Sequence, residues 1–507
     1  MRFIFSFVAL KRVVSMLEYL ILDRIVKNSP RDPETKKVIL NLLEGAKEGH
    51  LCSLIAEDTT LPSTLCSLGD DSDPYPKTPL VKQGNRLYLQ KNWALETLVL
   101  KKISELIDRV PSDLSLSLFK ENISKMTSLQ EAQVKALYIG FERSLAVFTG
   151  GPGTGKTYTA GCFIRLLCQN RPYKVAIAAP TGKAAAHLES ALRVQGSMPD
   201  GLKCESTTLH RLLKLQPGMQ RLNSDWKIDA DLVVVDEASM LDPSLLLHLL
   251  NAIGPHTRLL LLGDPHQLPP VEGGSLFPEI AELFGQKLER SIRMGEGSLF
   301  ELSKAILEGK LDQISHESID WEKLIDKVCE ILPNPIYASE PDPRSCLEEQ
   351  KQFRILCVLR QGPFGVDSLN QRLLTHFKGK SGWFAIPILV VQNDPKRQLY
   401  NGTTGVLIRD KAYFLFGDKL RMIPEGSLPR YEAAFFLSVH KSQGSEFDEV
   451  LAIFPQGSER FGKEALYTAV TRAKKKVTVW IDSSTLEAAI NVSGKKRTGF
   501  IARRSAQ

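Results

Sequence analysis

The stretch "TGGPGTGKTYT", residues 149–159, decides the fold. It fits G-x-x-x-x-G-K-[ST], with Gly150, Gly155, Lys156 and Thr157 at the defining positions. The apolar run "SLAVFTG" (144–150) precedes it and the helical pattern "YTAGCFIRLLC" (158–168) follows. A buried strand therefore runs into a phosphate-binding turn and then a helix. The loop of Gly150, Gly151, Pro152, Gly153, Thr154 and Gly155 can curl its backbone N–H groups around phosphate oxygens, and the helix N-terminus adds its dipole. Lys156 is placed to reach the β- and γ-phosphates, and the Thr157 hydroxyl to ligate Mg²⁺. A bare glycine-rich turn is the alternative, and the strand–loop–helix context speaks against it.

Further strand ends carry the rest of an NTPase. "LVVVDEAS" (232–239) ends a buried strand in Asp236-Glu237. One carboxylate can hold Mg²⁺ and the other can activate the attacking water. In "LLGDPHQLPPV" (261–271), Gln267 has the chemistry to sense a γ-phosphate, while Asp264 either joins it or simply caps a turn. "AAPTGKAAAHLESAL" (178–192) sets Pro180, Thr181, Gly182 and Lys183 where a strand gives way to a helix. A second cluster of exposed N–H groups with a lysine suits another phosphate, such as a nucleic-acid backbone. Thr208, His210 and Arg211 in "STTLHRLL" belong to the same edge, although a histidine by itself is as readily structural.

At 507 residues the chain is too long for one core, and about two to four domains are expected. Hydrophobic content of 43%, charged content of 24% and a net charge of +7 describe an ordinary, mildly basic globular protein. That charge permits a polyanionic partner without requiring one. The eight cysteines form no CxxC pair, which suggests reduced thiols in a cytoplasmic protein. No apolar run is long enough for a membrane span. The opening "MRFIFSFVALKRVV" reads as a core or interface segment, or as an over-extended start ahead of Met16, rather than a signal peptide.

Residues 1–125 show helical spacing, a Pro/Asp/Ser loop ("LGDDSDPYPKTP", 68–79) and a hairpin pattern around Gln83-Gly84-Asn85. They bear no catalytic constellation and read as a packing or docking module. From about 126 to 290, "SLAVFTG", "KVAIAAP", "DLVVVDEA" and "RLLLLGD" alternate with helices, the grammar of a parallel sheet covered on both faces. It resumes after 291 with "FRILCVL", "FFLSVHKSQG", "EVLAIFP" and "KVTVWID". Residues 383–430 look like a small antiparallel insert punctuated by Asn-Gly and Gly-Asp. Its Trp383, Phe384 and Tyr400 could stack on bases or fill its core.

The motif series resembles superfamily-1 helicases, and within them the RecD family, the alpha subunit of the RecBCD exodeoxyribonuclease V. The resemblance rests on "MTSLQEAQVKAL", "GGPGTGKT", "APTGKAAAHLESAL", "TLHRLL", "VVVDEASMLD", "LLGDPHQLPPVEGGSLF", "RSIR", "VHKSQGSEFDEV" and "LYTAVTRAKKKV", in that order. "PLVKQGNRLYLQKNW" (79–93) and "CVLRQGPFGVDSLNQRL" (357–373) resemble blocks of RecD in particular. His187 stands where the family pattern has arginine, and "HQLPPVEGG" is proline-richer than that pattern.

The resemblance implies two RecA-like motor domains (126–290 and 291–507), a mainly helical N-terminal docking domain and an SH3-like insert. It implies ATP and Mg²⁺ as cofactors, DNA as substrate and 5′→3′ travel. It also implies RecB-like and RecC-like partners, with no nuclease centre in this chain and no membrane association. By position, Gln133 matches the glutamine that reads adenine, and Arg293 and Arg472 match the arginines that reach the γ-phosphate from the second motor. In "SVHKSQGSEFDEV" (438–450), Ser442 and Gln443 are expected toward DNA and nucleotide, Gly444 at a close backbone approach and Glu446 at the nucleotide sugar. His440 and Lys441 are expected on phosphate. The competing readings are a stand-alone RecD-like helicase and a regulatory subunit that has lost hydrolysis.

Overall fold

The computed structural model describes residues 33–111, 115–169, 171–182, 184, 185, 188, 189, 203–215, 226–270, 273–288, 297–332, 336, 337, 339–378, 382–394 and 396–505. Near the N-terminus, β1 (Cys52–Leu54), β2 (Cys66–Leu68), β3 (Leu80–Gln83) and β4 (Arg86–Leu89) form a sheet in the order β1-β4-β3-β2. The expected hairpin is β3–β4. Its two-residue turn places Gly84 at φ +55, the left-handed geometry that a tight hairpin asks of its first central residue.

The apolar runs without alternation become a six-stranded, all-parallel sheet. It comprises β5 (Leu145–Thr149), β6 (Lys174–Ala179), β7 (Lys203–Thr208), β8 (Leu232–Val235), β9 (Arg258–Gly263) and β10 (Gly285–Lys287), in the order β10-β5-β9-β8-β6-β7. Every residue of β5, β8 and β9 is buried, because helices cover both faces. One face packs against the helix Lys156–Cys168 through Phe163, Ile164 and Leu167. The other receives Val99, Leu100 and Ile103 of the helix Gln90–Ile107, together with the leucines of the helix Pro243–Ala252. The helix Gln90–Ile107 therefore shares its core with the six-stranded sheet, while Ile39, Leu42, Leu80 and Leu87 form a separate small core nearer the N-terminus.

The strands that follow are β11 (Ile336–Tyr337), β12 (Phe353–Cys357), β13 (Trp383–Val390), β14 (Thr404–Ile408), β15 (Lys411–Phe416), β16 (Lys419–Pro424), β17 (Tyr431–Ala433), β18 (Phe436–Ser438), β19 (Phe447–Phe454) and β20 (Ala473–Ile481). The second motor sheet is also parallel, in the order β18-β12-β19-β20. The insert is antiparallel: β13 pairs with β14 and β17, followed by β15 and β16, and short β11 lies on the other end. Phe414, Ile388 and Val390 fill the insert's core, whereas Phe384 packs against the core of the second motor. Tyr400 is half-buried.

Beyond the second sheet the chain doubles back. The helix Phe500–Ser505 lies against the N-terminal region, with Phe500 in the core of the first motor and Arg503 buried beside Trp93. Among the described residues no helix is long and apolar enough to cross a membrane.

Candidate nucleotide site at the junction of two sheets

The glycine loop, Asp236-Glu237, the Asp264–Leu268 loop, Thr181 and the His440–Gln443 turn each follow the carboxyl end of a parallel strand, where helix N-termini and free backbone N–H groups collect. From β5 the chain enters the glycine loop. Gly155 caps the helix Lys156–Cys168 at φ +83, and Gly153 sits at φ +76, both in the left-handed region that favours glycine. A Cβ on Gly150 would fall 2.5 Å from Thr154 Oγ1 and 2.7 Å from the Leu288 carbonyl. Lys156 Nζ folds into the loop and donates to the Gly150 and Gly151 carbonyls at 2.6 and 2.9 Å. The ammonium thus stands inside the curl, where a phosphate would meet it. Thr157 opens the helix beside it, half-buried.

Asp236 and Glu237 follow β8 directly. Burial, followed by the neighbouring Glu237 charge, pushes Asp236 well above the usual carboxylate range, while Lys156 pulls the other way. Glu237 adopts φ 51, ψ 42, a left-handed conformation that costs a non-glycine residue about 1–3 kcal/mol. Its N–H is fixed by Asp236 Oδ1 at 2.8 Å. Asp236 and Glu237 thus crowd two carboxylates together near the Lys156 ammonium, and carboxylate oxygens are the donors that a hard divalent cation takes. No cluster of three or more His, Cys, Asp or Glu ligands occurs among the described residues. The chemistry of a carboxylate pair is compatible with Mg²⁺, which takes few ligands from protein.

Gln133 is buried. Its amide donates to Thr159 Oγ1 at 3.1 Å, and its carbonyl accepts the Gln130 N–H at 3.0 Å. It ties the preceding helix Glu131–Glu142 to the phosphate-loop helix at the nucleotide end.

The loop after β9 is where the two motors meet. Asp264 Oδ1 accepts the His266 N–H at 3.0 Å, so the aspartate does shape a turn. Its other oxygen accepts the Tyr467 hydroxyl at 2.9 Å, from the helix Gly462–Val470 of the second motor. Leu268 is gripped at both backbone groups: its N–H donates to Thr468 Oγ1 at 2.8 Å, and its carbonyl accepts Gln443 Nε2 at 2.9 Å. A Cβ on Gly444, at φ +70, would meet Ala184 Cβ at 3.3 Å, so this glycine does sit at a close approach, against the first motor. Gln267 is 5% exposed; its Nε2 lies 3.5 Å from Asp264 Oδ2, and its Oε1 has no partner.

Several expected roles move. Ser442 and Gln443, expected toward DNA and nucleotide, turn inward. Ser442 is 0% exposed and donates to the Val439 carbonyl at 2.7 Å, while Gln443 holds Leu268. The serine lies in the tight turn His440–Ser442, whose preceding carbonyl at Val439 takes its hydroxyl. Lys441 is paired with Glu432 at 2.6 Å. Burial, then Lys496, holds His440 down at about 4, so at neutral pH it brings no positive charge to a phosphate. Arg472 is buried, donating to the Thr468 and Ser445 carbonyls at 3.1 and 3.3 Å. Glu446 is half-buried on the same loop.

On the other edge, Pro180 and Thr181 are half-buried at the end of β6, and Thr181 caps the turn that follows by accepting the Ala184 N–H at 3.3 Å. Thr208 accepts the Arg211 N–H at 3.4 Å, and His210 is exposed. Lys183 and Arg293 lie outside the described residues, as does His187.

Sequence reasoning singled out Arg472 in "LYTAVTRA" but passed over Tyr467 and Thr468, which make the inter-motor contacts. The visible signal was two adjacent hydroxyl-bearing residues inside the apolar run Ala465–Val470.

Residues 133–273 match the AAA domain family, and residues 433–480 match the UvrD-like helicase C-terminal domain. The chain is 34% identical over 460 residues to the RecBCD enzyme subunit RecD of Mycolicibacterium smegmatis, covering 82% of each chain. It is 32% identical to the RecD subunit of Mycobacterium tuberculosis, covering 73% of this chain and 72% of that one. To the ATP-dependent RecD2 DNA helicase of Deinococcus radiodurans it is 30% identical, covering 68% of this chain but 48% of that one.

Proposed function

The chain belongs to the RecD family, and on that premise we propose that it is an ATP-dependent 5′→3′ DNA helicase acting as the RecD-type subunit of a RecBCD-type complex in double-strand-break repair. The observation that carries this reading is the junction at Leu268. The loop beside the nucleotide site is held by Gln443 and Thr468 of the other motor, so a change at the γ-phosphate is felt across the cleft.

In this reading the glycine loop and Lys156 bind the triphosphate, and Gln133 lies at the adenine end. Thr157 and Asp236 would hold Mg²⁺, which would supply positive charge against the triphosphate. Glu237, held in its strained conformation, orients and deprotonates the attacking water, while Gln267 faces the γ-phosphate. Arg472, and Arg293 by its family position, complete the charge shell from the second motor when the cleft closes. Such an arginine is worth roughly 10³–10⁵ in rate. Pro180, Thr181, Thr208 and His210 form one DNA-facing edge, to which Lys183 is assigned by its family position alone, and Lys441 joins it only by leaving Glu432.

The partners are DNA, as a single-stranded tail and a duplex end, and RecB-like and RecC-like subunits. The relatives named RecD, at 34% and 32% identity, support the subunit reading, and the RecD2 helicase, at 30%, stands behind the stand-alone alternative. Unwinding of 5′-tailed against 3′-tailed duplexes, with and without ATP and with and without co-purified partners, tests it. A strict preference for 3′ tails would overturn the polarity, and full activity of the isolated chain would favour the stand-alone reading.

A further inference from the structure

Asp264 Oδ2 is a shared acceptor. Tyr467 donates to it at 2.9 Å, while the Gln267 amide stands 3.5 Å away, at the outer limit of a hydrogen bond. The carboxylate thus holds the tyrosine and leaves the glutamine nearly released. Gln267 is buried and its Oε1 lacks a partner, a costly state for an amide unless a ligand completes it. An acceptor with a free donor next to it suits a water molecule and a phosphate oxygen side by side.

The tyrosine is not incidental to this corner. Its hydroxyl ends 2.9 Å from where a Cβ on Gly151 would lie, so the phosphate loop has room for it only because residue 151 is glycine. Burial, then the Asp264 charge, pushes the phenol well above its ordinary value, so it remains a donor at physiological pH. Thr468, the next residue, fixes Leu268, and Arg472 lies one turn on from both, its guanidinium bonded to the Thr468 carbonyl. Tyr467 and Arg472 therefore move together with one helix end.

We propose that Tyr467 is a positioning residue for ATP hydrolysis: by occupying Asp264 it frees Gln267 to face the γ-phosphate, and it does so only while the second motor is docked. When the motors part, Asp264 loses the tyrosine and takes the Gln267 amide instead, drawing the glutamine off the phosphate. Docking thereby arms two groups at once, Arg472 directly and Gln267 through Tyr467 and Asp264. The inference rests on the ATPase reading above and adds to it a second route by which the far domain controls chemistry.

The test is steady-state ATP hydrolysis by the full chain with poly(dT), comparing wild type, Tyr467→Phe, Asp264→Asn and the double variant. Phenylalanine keeps the ring packing and removes only the hydroxyl. Tyr467→Phe is expected to lower kcat about tenfold, with KM for ATP and the melting temperature unchanged. The double variant should fall no further than the worse single one, because both break the same relay. A Tyr467→Phe kcat within twofold of wild type would overturn the proposal. So would losses that multiply in the double variant, or a loss that tracks a lowered melting temperature and a raised KM, as a merely structural tyrosine would give. A wild-type chain with no poly(dT)-stimulated hydrolysis would remove the ATPase reading itself, and this inference with it.

Discussion

Arg503 donates to the Glu96 carboxylate at 3.2 Å, and the two side chains are 1% and 0% exposed. The guanidinium also lies 3.7 Å from the Trp93 ring centroid and bonds Asp71 at 2.6 Å. Glu96 in turn accepts the Gly499 N–H at 3.1 Å. The last described helix is thus fastened to Asp71 and to the helix Gln90–Ile107 by a buried charge cluster. The intervening stretch is anchored at its other end, where the Gly494 N–H donates to Glu464 in the second motor at 2.7 Å. Arg503→Ala should strand the Glu96 charge and destabilise the fold by about 3–5 kcal/mol, read as a lowered urea midpoint by Trp93 fluorescence. An unchanged midpoint would mean that the cluster is not closed in solution.

The same tail carries a pH dependence. Burial pushes Glu279 up to about 7, partly offset by the Thr498 hydroxyl that donates to it. A carboxylate raised in the folded state contributes stability that is complete below its unfolded value near 4.5 and is lost as pH rises through about 7. Wild type should therefore lose melting temperature against Glu279→Gln between pH 5.5 and pH 8. Parallel curves would place Glu279 in water.

Lys156→Gln removes the ammonium that sits between the Gly150 and Gly151 carbonyls, and should abolish DNA-stimulated ATP hydrolysis with folding intact. Unchanged activity of the assembled complex carrying this variant would support the regulatory-subunit reading.

Arg472→Ala should lower kcat by roughly 10³-fold or more if the arginine exchanges its Thr468 and Ser445 carbonyls for the γ-phosphate. A loss limited to thermal stability would make it a structural brace of the turn instead.

Gly444→Ala forces a side chain into φ +70 and toward Ala184 of the first motor. The strain of about 1–2 kcal/mol falls on the docked state, so unwinding of a 5′-tailed duplex should drop about tenfold. KM for ATP should stay unchanged, since the phosphate loop is not touched. A shift in KM alone would contradict this assignment.

The parallel sheets and the strand ends that bear Lys156, Asp236-Glu237 and Gln267 were legible because each is a local pattern. A buried strand must be apolar throughout, and a phosphate loop must have glycine where φ is positive, so both leave their mark within a few neighbouring residues. The β3–β4 hairpin was readable for the same reason. The directions of Ser442 and Gln443 were not. The motif places them on the right loop, but which way a side chain turns depends on what packs opposite, here Val439 and Leu268.

By itself, then, the sequence determined the central strands of both parallel sheets, the phosphate loop and the family. Tertiary structure alone decided that Asp264 is shared by Tyr467 and Gln267, that the helix Gln90–Ile107 completes the first motor's core, and that Arg503 returns to Glu96. Tyr467 reaches Asp264 across 203 positions, and Arg503 reaches Glu96 across 407. No local periodicity encodes such a pair. It forms because a buried charge or hydroxyl must find its partner in whatever element the fold brings alongside.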